Sequence, residues 1–387
     1  MPDGRRTTTG FWSRLLSSPI PGGGPVEISP NWFASVMGTG IVANAAVSLP
    51  GGGPGMLWFG RVIWFAAALL LLGLSIAYIV HWLVYPDKHH DYRHNPVMAQ
   101  FYGAPPMAFM TVAAGILLVW GPELPTWAIG CSWTLWLLGT AGGLVTAVWV
   151  PFRLFTSFDV PKDGAFGGWL MPVVPPMVSA ATGALLVPHA ATGVLRETMF
   201  YACYAMFGLS LMAAFIIITL IWNRLAHFGT SGSPRVPTLW IVLGPLGQSI
   251  TAAGTLGAVA FLAVRPELAH AFDLFAVLYG VPVWGFAMLW AALATLLTIR
   301  ARRQNMSFAL TWWAFTFPVG TCVTGAIQLA HHTELVTFEV MAWLAFVGLL
   351  CAWLLVGWRT GRGLARGELL RPPPAGQPTS FKGKLVD

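Results

Sequence analysis

The chain carries little charge. Of its 387 residues only 9% are Asp, Glu, Lys or Arg, against roughly 25% in an ordinary soluble domain. That is too little to cover a soluble particle of this size. It also excludes intrinsic disorder, which needs high charge and low hydrophobicity. Cysteine is scarce: Cys131, Cys203, Cys322 and Cys351 stand far apart in apolar surroundings. Neither a disulfide framework nor a zinc site is expected. Alternating segments of about ten residues, the mark of a membrane barrel, do not occur.

What the chain has instead is apolar length. Hydrophobic residues make up 56%, with 20 Trp and 24 Phe. Ten stretches of 19 residues or more lack Asp, Glu, Lys and Arg altogether: 28–60, 62–86, 94–122, 124–152, 164–195, 198–223, 236–264, 274–299, 304–333 and 340–358. A helix crosses the bilayer core with about 20 apolar residues, so each stretch predicts one span. With ten spans both ends of the chain face one side. That side takes 18 of the 21 basic residues and the other only Arg61, Arg196 and Arg265. Basic residues concentrate on the cytoplasmic face, which predicts cytoplasmic termini and a plasma- or inner-membrane location. The net charge of +7 is then a topology signal, and no nucleic-acid partner is expected.

Three regions follow. Residues 1–30 read as a cytoplasmic segment, with an interfacial helix around Trp12 and Leu15 and a glycine hinge at 21–25. Residues 31–358 read as the ten-helix membrane domain, and 359–387 as a basic, proline-bearing cytoplasmic tail.

Proline and glycine are unevenly spread. Pro105-Pro106-Met107 recurs as Pro175-Pro176-Met177, then as Gly244-Pro245-Leu246 and again as Phe317-Pro318-Val319. Gly38 stands nearly the same distance before Pro106. A period of about 70 residues holds one helical hairpin, so the chain reads as five tandem hairpins, a repeat architecture. Odd spans carry the breakers and most of the hydroxyls. A proline inside a helix frees a carbonyl and bends the axis, tolerable in a membrane where protein or water satisfies it. The predicted fold is therefore all-α: ten transmembrane helices, odd ones inner and kinked, even ones outer and smooth, around a central pore. Any one hydroxyl can bond its own backbone or glue helices together. The collective pattern points to a pathway.

No Asp, Glu, Lys or Arg lies inside any predicted span. Coupled carriers usually keep an intramembrane ionisable group and voltage sensors need helix arginines, and neither is visible. A neutral path bordered by hydroxyls and helix N-termini passes anions, and the basic rim concentrates them. No enzyme is expected, since no cluster of His, Asp or Glu lies at membrane depth, and no cofactor is implied. His89, His90 and His94 with Asp87 and Asp91 read as a solvated loop, not a metal site, and His331-His332 beside Glu334 likewise. His81 reads as an interfacial anchor near Trp82, with proton sensing as the alternative.

The stretches Asn31-Trp32-Phe33-Ala34-Ser35-Val36-Met37-Gly38-Thr39-Gly40-Ile41, Gly244-Pro245-Leu246-Gly247-Gln248-Ser249 and Trp312-Trp313-Ala314-Phe315-Thr316-Phe317-Pro318 resemble the tellurite-resistance/dicarboxylate transporter family. That family includes malate permeases, sulfite efflux pumps and plant slow-type anion channels. The resemblance covers residues 31–358. It implies five hairpins around an anion pore, a homotrimer with one pore per subunit, and a Phe plug matched by Phe317, with Phe315 second. The candidate lining is Ser35, Gly38, Thr39, Gly40, Pro106, Thr111, Pro176, Ser179, Gly244, Pro245, Gln248, Ser249, Thr316, Pro318 and Thr321. The implied cargo is a C4-dicarboxylate such as malate, or sulfite; the alternatives are a passive chloride or nitrate channel and a tellurite-resistance type permease.

Overall fold

Backbone in contact with lipid must satisfy its own hydrogen bonds, and this chain does so with helices. The structure is a computed structural model and describes residues 28–230, 233–367 and 369. The expected interfacial helix near Trp12 and the proline-bearing end of the tail lie outside the described residues. Among those described there are eleven α-helices, seven 3-10 segments and no strand. The α-helices are α1 (Phe33–Ser48), α2 (Gly53–Val84), α3 (Pro86–His94), α4 (Ala104–Trp120), α5 (Thr126–Thr156), α6 (Pro175–Leu186), α7 (Val194–Phe228), α8 (Leu243–Ala263), α9 (Pro266–Arg303), α10 (Phe317–Thr333) and α11 (Val336–Ala365). Among the described residues, seven helical stretches are long and apolar enough to cross a membrane: α2, α5, α7, α9, α11, and α4 and α8 with their 3-10 lead-ins. α1, α6 and α10 have 16, 12 and 17 residues and fall short of that length.

The contacts among helices close a cycle. α1 packs on α4, α4 on α6, α6 on α8, α8 on α10, and α10 returns to α1. Each long helix lies over a seam of that cycle: α2 touches α1 and α4, α5 touches α4 and α6, α7 touches α6 and α8, α9 touches α8 and α10, and α11 touches α10 and α1. Burial follows the same division. α1 and α6 are buried along nearly their whole length, whereas the long helices keep apolar residues such as Leu69, Val148, Ile216, Leu278 and Leu344 exposed. An apolar face of that extent suits lipid, not water. Small residues set the spacing. Gly139 and Gly143 of α5 let it approach Pro106 and Met110 of α4 and Pro175 of α6, where a Cβ would clash.

The prolines differ from expectation. They do not bend the core helices from within. Pro105, Pro106, Pro175, Pro176, Pro245 and Pro318 stand in first turns; the 3-10 segments Met98–Gly103 and Ser233–Val242 run directly into two of them, and Leu310–Phe315 ends one residue before a third. A first-turn proline has no intrahelical N–H to lose and its fixed φ favours helix entry. The prolines inside α-helices are instead Pro151 of α5 and Pro282 of α9, both in long helices.

Candidate functional site

Two cavities open inside the five-helix cycle, and each is lined by all five of its units. The first, about 530 Å³ of space between atoms, lies where the five helices start. Its wall takes Ala34 and Met37 from α1, Met107 from α4, Val174 just before α6, Gly244 and Pro245 from α8, and Phe317 and Pro318 from α10. Asn31, Thr238 and Thr311 are the polar side chains there, and the wall has no carboxylate. The second cavity, about 540 Å³, lies toward the far ends of the same helices. It is more polar: Asn44, Gln248, Thr251, Thr255, Thr324 and Gln328 line it beside Ile41, Ala181 and Ile327. One to two helical turns separate the two walls on each helix, about 5 to 10 Å.

The repeat governs which residues line the first cavity. Asn31, Phe101, Met171, Ile241 and Ala314 all border it, one from each hairpin at successive turns of the repeat. This register aligns Pro175, not Pro176, with Pro245 and so shifts the sequence-based alignment by one position. The next ring is Ala34, Ala104, Val174, Gly244 and Phe317. Four of its members are small and one is a buried phenylalanine, 5% exposed.

The residues expected to line a pore are dispersed. Gly244, Pro245, Phe317 and Pro318 lie on the first cavity and Gln248 on the second. Phe315 is turned away from both. It stacks edge-on against Trp240 and Trp312, with centroids 5.5 and 5.6 Å away, in a lateral crevice between α9 and α11. Ser35, Thr111, Ser249, Thr316 and Thr321 donate to carbonyls of their own turns, those of Trp32, Met107, Leu246, Trp313 and Pro318. Thr39 accepts from Trp353 Nε1 of α11 at 3.2 Å. The Ser179 hydroxyl pairs with that of Thr140 of α5, while the Ser179 carbonyl accepts from Trp136. Gly38 lies against Thr316 and Trp313, and Gly40 against Thr111. Pro106 faces Gly142 of α5, and Pro176 is buried. Thr39, Ser179, Ser249 and Thr321 join helices to one another.

Two histidine readings are corrected. Residues 86–94 are the helix α3, not a loop, and α3 folds back on the end of α2. His81 is fully buried, and its Nδ1 lies 3.1 Å from Nε2 of the equally buried His89. Rings of Tyr78, Trp82 and Tyr92 enclose the pair. Burial, with the charges of His81 and Arg93, lowers the His89 pKa from 6.5 to about 4. His332 is not solvated either: its Nδ1 stands 2.9 Å from Asp273 of α9 and its Nε2 3.0 Å from the Gly254 carbonyl of α8.

These features define a multi-pass helical membrane protein with a five-helix core holding two cavities. Residues 27–361 match the family described as voltage-dependent anion channel (SLAC1), and the chain belongs to that family. A sulfite efflux pump of Trichophyton rubrum is 28% identical over 84% of this chain and 88% of its own length. The malic acid transport protein of Schizosaccharomyces pombe is 20% identical over 88% of this chain and 80% of its own. An S-type anion channel of Arabidopsis thaliana, SLAH2, is 24% identical over 73% of this chain and 48% of its own length. By their names these relatives are carriers and channels, not enzymes.

Proposed function

We propose that the chain crosses the membrane ten times, as five hairpins around one conduit for small anions that Phe317 closes. The three short helices reach across once their lead-ins are included. α1 with its 3-10 turn covers about 30 Å, and α10 with Leu310–Phe315 somewhat more, close to the thickness of the hydrocarbon core.

The observation that carries the anion reading is the first cavity. Five helix N-termini converge on it, each with a partial positive charge, and no carboxylate lines it. In the second cavity the amides of Gln248 and Gln328 and the threonine hydroxyls take over as polar contacts for a partly dehydrated anion. None of the five core helices contains Asp, Glu, Lys or Arg. A membrane potential therefore acts on the anion itself and not on a charged helix. Both termini are cytoplasmic on the basic-residue count, the first cavity is the cytoplasmic mouth, and the membrane is the plasma or inner membrane. The protein assembles as a homotrimer, as the family resemblance implies.

The cargo reading is sulfite or a C4-dicarboxylate, supported by the named activities of the fungal relatives; a passive chloride or nitrate channel is the rival. Flux of sulfite, malate, nitrate and chloride into proteoliposomes, with and without a pH gradient, tests it. Sulfite or malate flux above that of chloride is expected. Equal rates for all four anions would favour the passive channel, and no flux of any would end the transport reading.

A further inference from the structure

A third cavity lies outside the five-helix cycle. It is a crevice of about 690 Å³ between α9, α10 and α11, at the end where Arg300, Arg302 and Arg303 close α9. Its walls are apolar and aromatic: Trp240, Trp312, Phe315, Val319, Ala352 and Leu355. Arg302 lines it as well. The Arg302 guanidinium lies 5.9 Å from the Trp312 ring and that of Arg359 only 4.9 Å from the same ring. Two cations share one indole, and neither makes an ion pair among the described residues. Nε of Arg359 is buried without a hydrogen-bond partner.

We propose that this crevice binds an anionic phospholipid, one acyl chain lying along the aromatic wall and the phosphate bridging Arg302 and Arg359. Charge selects this occupant. Basic pockets between membrane helices on the cytoplasmic side suit acidic head groups, and a phosphate satisfies the buried Arg359 Nε, which has no acceptor among the described residues. A second copy related by a twofold axis would bring the same arginine rim against an arginine rim. The tryptophans stand where aromatic side chains meet the head-group region. One short turn separates this site from the first cavity: Trp312 and Phe315 line the crevice, while Thr311 and Trp313 line the cavity. The leaflet assigned rests on the orientation proposed above, whereas binding itself does not depend on transport.

Native mass spectrometry of the full chain, released from micelles holding equal phosphatidylglycerol and phosphatidylcholine, tests the site. The wild-type chain should retain phosphatidylglycerol in preference. Arg302→Gln and Arg359→Gln should each lower that retention about fivefold, from roughly 1 kcal/mol per arginine near a lipid surface. Both should leave phosphatidylcholine unchanged. Ala352→Trp, which fills the crevice, should remove the preferred lipid; if that variant does not fold, the two arginine variants carry the test. Equal retention of both lipids by the wild type, or unchanged phosphatidylglycerol in the arginine variants, would overturn the proposal. So would an Ala352→Trp chain that keeps its lipid but changes its oligomer mass, which would make the crevice a subunit contact.

Discussion

Phe317 occupies a repeat position whose four counterparts are Ala34, Ala104, Val174 and Gly244. A ring of small residues leaves space at its centre, and one large side chain suffices to fill it. Phe315, two positions earlier, follows the opposite face of the turn and meets Trp240 and Trp312 instead. The sequence alone offers no way to choose between them, because a 3-10 turn sends side chains two apart to different sides. The histidines tell a similar story. His89 reads as solvated from its polar neighbours, yet α3 folds back and buries it on His81. Its folded-state pKa, about 4, lies below the unfolded value of 6.5, so the fold favours neutral His89. The stability this site contributes is complete above about pH 6.5 and is lost as pH falls toward 4. The loss amounts to up to about 3 kcal/mol. The charged and titratable groups facing it are His81, Arg93, Tyr78 and Tyr92. The melting temperature of the purified protein should drop between pH 6.5 and 4, more steeply than in His89→Phe; parallel profiles would refute this.

At the scale of elements, the core is held by close backbone approach. α8 and α10 meet at Gly247, where a Cβ would stand 2.5 Å from the Cys322 amide nitrogen and 2.5 Å from the Thr321 carbonyl carbon. Backbone cannot swing aside as a flexible side chain can, so the helices must separate. Gly247→Ala should cost about 1–3 kcal/mol, the usual penalty for overpacking, read as a lower melting temperature in detergent. Wild-type stability in that variant would contradict the contact. The elements themselves were legible where composition is one-sided: each charge-free stretch holds the bulk of one α-helix, and the hairpin repeat locates the proline-bearing starts. The role of those prolines was not legible. A proline within an apolar stretch looks the same whether it bends a helix or begins one, and only the backbone before it decides. The hydroxyls divide: Thr251, Thr255 and Thr324 line the second cavity, whereas Ser35, Thr111 and Thr316 bond their own turns and border neither cavity.

At the scale of the whole molecule, five short helices form the closed cycle and five long ones cover its seams. The family match over residues 27–361 agrees with the resemblance carried by the three motifs. Which residues meet the two cavities was legible only in part. Gly244, Pro245, Gln248, Phe317 and Pro318 were anticipated. Thr238 and Thr311 were not, although the interval between them equals that between Gly244 and Phe317. Extending the repeat register through the lead-ins would have found them.

The central claim is that both cavities belong to one anion path closed at Phe317. Its most direct test is sulfite or malate flux through proteoliposomes carrying Phe317→Ala, with and without Thr324→Cys in the second cavity, before and after a charged thiol reagent. Phe317→Ala should raise flux at least several-fold over wild type, and the reagent should abolish the increase only when Thr324→Cys is present. Flux that stays at the wild-type level in Phe317→Ala, or that the reagent leaves untouched in the double variant, would contradict the account.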